Sequence, residues 1–140
     1  MTLGIRNNNP LNIRKGKSQW RGQTNYTPPG KGGDGGESVF CQFETMEWGL
    51  RAAFCLLRTY ANKYKASCIH DIVTRWAPPN ENNTQKYIRD VCMMTGFGGN
   101  QRLTETDWPK LVKAMAKIEC GEELSDELIL KGFQLYNQSN

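Results

Sequence analysis

The chain has 140 residues, enough for one compact domain with a single core and too few for two. Its hydrophobic residues (38%) and aromatic residues (10%) are typical of a globular protein and exclude a disordered one. The net charge of +4 is small, and basic residues are interleaved with acidic ones, so the composition does not favour a nucleic-acid-binding module. No apolar run approaches the roughly 18 residues of a membrane helix, and we expect no membrane insertion.

The cysteines and the histidine indicate no metal site and no cofactor. Five cysteines are scattered along the chain without a C-x-x-C pair, which argues against a disulfide framework and against zinc. His70 is the only histidine, and no serine lies in a nucleophile motif. We interpret His70 as an ordinary surface or partly buried residue.

Residues 1–44 differ in composition from the rest of the chain. Residues 7–10, Asn-Asn-Asn-Pro, have turn chemistry, and residues 27–36 form a long loop rich in glycine and proline. Apolar residues alternate around that loop, at Trp20 and at Val39, Cys41 and Phe43. The pattern predicts a small β-hairpin with a mobile tip, and a loop of this length in a small domain is often functional.

Residues 45–140 have the apolar periodicity and the punctuation of helices. The first helix is capped by Thr45, and the second carries Ile69 to Trp76 and stops at Pro78 and Pro79. The other three start at Asn82 or Asn83, at Thr106 or Asp107, and after Ser125; the third helix ends at Gly96 and the fourth at Gly121. We therefore predict one α+β domain over residues 1–140, mainly α-helical, with a hairpin lobe (1–44) and a helical lobe (45–140).

Glu119 occupies an unusual place in the fourth helix. It lies four residues after Met115 and seven after Val112, so it shares the apolar face of that helix. It also falls in the last turn, where the helix dipole disfavours a negative charge. Burial and the dipole both favour the protonated acid, which is the form that a glycosidase general acid needs. The alternative is a glutamate at the edge of the stripe whose carboxylate reaches water.

Short motifs resemble the lysozyme superfamily of peptidoglycan-cleaving enzymes. Residues 116–121, Ala-Lys-Ile-Glu-Cys-Gly, resemble its Ala-x-x-Glu-Ser-Gly helix end, which carries the catalytic acid. Residues 9–16, Asn-Pro-Leu-Asn-Ile-Arg-Lys-Gly, and 20–22, Trp-Arg-Gly, resemble the stretch that follows this helix in N-acetylglucosaminidases of the flagellar and autolysin type. Residues 40–43, Phe-Cys-Gln-Phe, and 76–80, Trp-Ala-Pro-Pro-Asn, with Thr84 and Tyr87, are similar to later segments of those enzymes.

The order of these motifs differs from that of the enzymes. There the glutamate helix precedes the Asn-Pro turn, whereas here the matching helix comes near the end of the sequence. A circular permutation reconciles the two orders, because chain termini tend to lie close together at a surface. The chain also resembles small phage and prophage proteins that begin with an Arg-Asn-Asn-Asn-Pro motif, here residues 6–10.

The resemblance implies a glycosidase or lytic transglycosylase that acts on the glycan strands of peptidoglycan, with Glu119 as general acid. A second carboxylate, which a hydrolase needs, would come from Asp34, Glu37, Glu44 or Glu47, and Glu37 is the first choice. The residues implied in substrate binding are Asn9, Asn12, Trp20, Phe43, Trp76 and Tyr87. For Trp76 and Tyr87 core packing is an equal alternative, and Asn9 is as readily a turn residue.

A non-catalytic virion or cell-wall-binding protein with a lysozyme-like fold is the main alternative, since no second acid matches the enzymes convincingly. The polar N-terminus does not have the pattern of a signal peptide. We therefore expect action at the bacterial cell wall after release from the cell, or as part of a phage particle. We expect a monomer.

Overall fold

A computed structural model describes residues 1–26 and 39–139. Within these ranges the fold consists of six α-helices and a 3-10 helix, so the protein is mainly helical as predicted. The helices are α1 (Leu3–Arg6), α2 (Met46–Tyr64), α3 (Ile69–Trp76), α4 (Thr84–Thr95), α5 (Trp108–Cys120) and α6 (Asp126–Gln138), and the 3-10 helix is Glu105–Asp107. None of the helices in this part of the chain has the length and apolarity to cross a membrane.

The helix ends follow the local signals in the sequence. The side chains of Thr45, Asn83 and Ser125 each accept a hydrogen bond from a backbone N–H of the first helical turn. Gly96 and Gly121 end α4 and α5 with φ of 78° and 77°, the left-handed conformation that glycine adopts without strain. All five predicted helices are therefore confirmed. The fourth begins one or two residues later than predicted, because the 3-10 turn precedes it.

The core is centred on α2, which packs along α6. The two helices approach so closely that a Cβ atom on Gly132 would lie 2.5 Å from the Cβ of Leu50. Phe54, fully buried on α2, meets Phe133 edge-to-face with the ring centroids 4.9 Å apart. This packing makes α2 a rigid element against which the N-terminal segment lies.

The predicted β-hairpin is not found in the described residues. The two arms that would form it make isolated antiparallel bridges, Arg14 with Phe40 and Gln23 with Phe43, and scattered backbone hydrogen bonds, but no continuous ladder. Side-chain amides add to these bonds: Asn9 Nδ2 donates to the Cys41 carbonyl, and the Asn25 side chain bonds the backbone of both Phe40 and Gln42. The loop over residues 27–36 lies outside the described residues.

The short helix α1 was not predicted, because a single turn carries no periodicity. It packs against α5, and the Thr2 hydroxyl donates a hydrogen bond of 2.9 Å to the carbonyl of Cys120. The contact leaves little room, since a Cβ atom on Gly4 would lie 3.0 Å from the Cβ of Cys120. The N-terminal segment is thereby held at the C-terminal end of α5, where Glu119 lies.

Candidate functional site

Glu119 lies in the last turn of α5, partly buried, and each oxygen of its carboxylate accepts a hydrogen bond. Asn12 Nδ2 donates to Oε1 at 3.2 Å and to the main-chain oxygen of Glu119 at 3.0 Å. The Tyr87 hydroxyl donates to Oε2 at 3.0 Å. The structure thus brings together three of the predicted site residues, from the N-terminal segment, α4 and α5.

Local structure explains how the two donors reach Glu119. Asn12 has φ of 53°, in the left-handed region that asparagine tolerates better than most residues. This conformation directs the Asn12 amide, which follows the Asn-Pro turn, toward the C-terminal end of α5. Tyr87 lies in the first turn of α4, which packs against α5, and its ring is buried.

The surroundings of Glu119 raise the pKa of its carboxyl. Burial raises the pKa of its carboxyl above the ordinary value of 4.5, and the hydrogen bonds from Asn12 and Tyr87 offset part of this effect. Burial and the nearby carboxylate raise the pKa of the Tyr87 hydroxyl well above 10, so Tyr87 remains a donor. The predicted direction of the pKa shift of Glu119 is confirmed, with burial as its main cause.

A groove of about 300 Å³ lies beside this cluster. Its lining residues are Asn12, Ile13, Arg14, Gly16, Trp20, Leu56, Tyr60 and Trp76. Trp76 is fixed there, since its indole N–H donates to the Leu11 carbonyl at 3.2 Å and its ring lies edge-on to Tyr60. Asn12 joins the two features because it lines the groove and also bonds Glu119. Glu119 itself is not among the lining residues.

Several predicted site residues lie elsewhere. Asn9 is fully buried and bonds the backbone of Ile13 and Cys41, and Phe43 is buried in the core, so both are structural and neither is placed to contact a ligand. Tyr87 is buried as well, and it contacts Glu119 without lining the groove. Glu44 is exposed and does not line the groove. Glu37, together with Asp34, lies outside the described residues.

Two charged residues beside the groove were not predicted from the sequence. Arg14 lines it, and the Arg14 guanidinium lies 3.9 Å from the carboxylate of Glu81 in the loop between α3 and α4. Tyr60 and Leu56 of α2, which also line the groove, were not among the predicted site residues either. Neither Arg14 nor Glu81 stands out by spacing or composition, because the pair forms between segments that are distant in sequence.

Other chemistry has little basis in the described residues. Their His, Cys, Asp and Glu side chains form no group of three that could hold a metal ion. The five cysteines are free thiols, and burial raises the pKa of Cys41 to about 11, which makes it a poor nucleophile. The cluster of Glu119, Asn12 and Tyr87 with its groove is therefore the feature to which a function is best attached.

No family model matches the chain. Over 135 residues the chain is 38% identical to Protein P5 of Pseudoalteromonas phage PM2. The matched region covers 94% of this chain and 79% of the phage protein. Identity at this level over most of both chains shows that this protein belongs to the family of Protein P5 of phage PM2.

Proposed function

We propose that this protein is a phage-encoded component that binds peptidoglycan glycan strands in the groove beside Glu119, on a lysozyme-like fold whose elements are circularly permuted. One observation carries the proposal: Asn12, Trp20 and Trp76, all expected to contact sugars, line one groove. The similarity of this protein to a phage protein supports carriage in a phage particle as its route to the cell wall.

The groove has the chemistry of a saccharide site. The apolar faces of sugar rings pack on aromatic side chains, while hydroxyl and acetamido groups need hydrogen-bond partners. Trp20, Tyr60 and Trp76 supply the aromatic surface, and Arg14 and the Tyr60 hydroxyl supply polar groups. The Trp76 ring is already fixed by its hydrogen bond to Leu11, so little side-chain entropy would be lost on binding.

The arrangement of the acid favours binding without cleavage. Both Glu119 oxygens already accept hydrogen bonds from within the protein, and Glu119 does not line the groove. Among the described residues no second carboxylate bonds the Glu119 side chain or lines the groove. Holding Asn12 in its left-handed conformation is a sufficient role for Glu119 in a binding protein.

Cleavage is the second candidate, and the raised pKa of Glu119 is the observation that favours it. A raised pKa lets a carboxyl hold its proton to higher pH, and a protonated carboxyl can donate that proton to the leaving oxygen of a glycosidic bond. Hydrolysis and transglycosylation remain alternatives, because transglycosylation needs no carboxylate to activate water.

Co-sedimentation with purified peptidoglycan tests the proposal. Gly16→Phe should abolish binding by filling the groove, and it should fold, since a Cβ atom there meets nothing within 4 Å. Gly98→Phe is the matched control. A Cβ atom on Gly98 would make only ordinary contacts with Gln101, and Gly98 does not line the groove. Binding that survives Gly16→Phe, or wild-type protein that does not sediment, would refute the proposal.

Clearing of the same peptidoglycan separates the two candidates. If the protein only binds, wild type and Glu119→Gln both sediment and neither clears the suspension. If Glu119 is a general acid, wild type clears it and Glu119→Gln loses about a hundredfold or more of the rate while still binding.

A further inference from the structure

Among the described residues that line the groove, Arg14 is the one charged residue and none is acidic. The other polar groups in this lining are the amide of Asn12, the indole N–H groups of Trp20 and Trp76, and the hydroxyl of Tyr60. Burial raises the pKa of that hydroxyl above 10, which keeps it neutral. The described lining thus presents one positive charge beside aromatic surface. A neutral sugar leaves that charge without an opposite charge, whereas a sugar that carries a carboxylate pairs with it.

The guanidinium of Arg14 is held in place at the groove. The Arg14 backbone forms the bridge to Phe40, and its guanidinium carbon lies 5.6 Å from the centre of the Phe40 ring. The pairing with Glu81, at 3.9 Å, is too long for a hydrogen bond, and both side chains are half exposed or more. The N–H donors of Arg14 are therefore not saturated by Glu81 and can form the paired hydrogen bonds that arginine makes with a carboxylate.

We infer that Arg14 makes the groove selective for an acidic sugar of the glycan strand, with Glu81 as a resident carboxylate that the ligand displaces. This inference rests on the proposed function. In peptidoglycan every second sugar carries a lactyl ether that ends in a carboxyl group. That group is a free carboxylate when the stem peptide has been removed, and otherwise the peptide supplies the carboxylates.

The test compares two ligands of equal length by tryptophan fluorescence or calorimetry. One is the peptide-free glycan strand, with free lactyl carboxylates, and the other is the neutral oligomer of β-1,4-linked N-acetylglucosamine. Wild type should bind the acidic strand about tenfold more tightly, as expected for a charge-assisted pair of hydrogen bonds. Arg14→Gln should bring this ratio close to one, mainly by weakening the binding of the acidic strand.

Two further variants sharpen the result. Glu81→Gln should raise the ratio, because the competing carboxylate is gone. Arg21→Gln makes the same change of net charge outside the groove, where Arg21 contacts the Ser139 carbonyl and the Trp48 ring, and it should keep the wild-type ratio. Strands that retain their peptides form a third ligand. A preference for these strands alone, lost in Arg14→Gln, would identify the peptide as the source of the carboxylate.

The outcomes separate this inference from the function on which it rests. A wild-type ratio near one, or a ratio that Arg14→Gln does not change, overturns the role of Arg14 while binding of the neutral oligomer still supports a glycan groove. If folded wild type binds none of the ligands, the proposed function and the selectivity fail together.

Discussion

Tyr87→Phe isolates one hydrogen bond of the Glu119 cluster. The Tyr87 ring is buried and keeps its packing as phenylalanine, so no cavity forms and the main loss is the 3.0 Å bond to Glu119 Oε2. A hydrogen bond to a charged group contributes about 1.5–3 kcal/mol. Since Glu119 is only partly buried and keeps its bond from Asn12, we expect the free energy of unfolding at pH 7 to fall by about 1–2 kcal/mol.

Urea denaturation at several pH values measures this loss. Tyr26→Phe is the matched control, because the Tyr26 hydroxyl donates a bond of the same length to the Lys17 carbonyl at an exposed position. Its effect should stay within about 0.5 kcal/mol. The Tyr87 hydroxyl lowers the pKa of Glu119, so its removal raises the folded-state pKa further. The cost of Tyr87→Phe is therefore fully present above that pKa and shrinks as the pH falls through it.

Two results would refute this reasoning. A cost no larger than that of Tyr26→Phe would mean that the bond to Glu119 contributes no more than an exposed one. A cost that stays constant from neutral to acidic pH would mean that the charge on Glu119 does not enter the interaction.

Other substitutions probe the same cluster and the core by denaturation. Asn12→Ala should cost about 1 kcal/mol more than Asn12→Gly, because both lose the bonds to Glu119 but only alanine is strained at φ of 53°. Gly132→Ala should lower stability by about 1–3 kcal/mol despite its better helix propensity, since the new Cβ would lie 2.5 Å from Leu50. Glu119→Gln should be more stable than wild type at pH 7, and the difference should vanish toward pH 4, where folded wild-type Glu119 is protonated.

The helices could be predicted because their signals are local. A capping side chain such as Thr45 and a terminal glycine such as Gly96 act on the backbone within one turn, so sequence order is enough to place them. The prediction of a hairpin was wrong, because alternating apolar residues do not show whether the backbone forms hydrogen bonds with another strand or with a side chain. Here the side chains of Asn9 and Asn25 supply part of the bonding beside scattered backbone hydrogen bonds, and only the tertiary structure shows it.

The candidate site also combines features that the sequence predicts with contacts that only the tertiary structure shows. The face of α5 placed Glu119 toward the interior from periodicity alone, and a family resemblance pointed to Asn12 as a residue of the same site. Their contact joins positions 107 apart, which no local rule predicts. Arg14 and Glu81 were missed for the same reason, since their pairing depends on how the N-terminal segment lies against the loop after α3.

The position of Asn12, between the groove and the acid, allows two roles of Glu119 to be separated. In Glu119→Gln the amide oxygen can accept from Asn12 Nδ2 while the new NH₂ group donates to the Tyr87 oxygen, so Asn12 stays in place. Glu119→Ala removes the side-chain acceptor of Asn12 and Tyr87, so the Asn12 amide keeps only its 3.0 Å bond to the main-chain oxygen of residue 119 and is held less firmly. If Glu119 serves to position Asn12, sedimentation with peptidoglycan should be kept by the glutamine variant and weakened by the alanine variant. If Glu119 serves only as an acid, the two variants should bind alike and both should fail to clear.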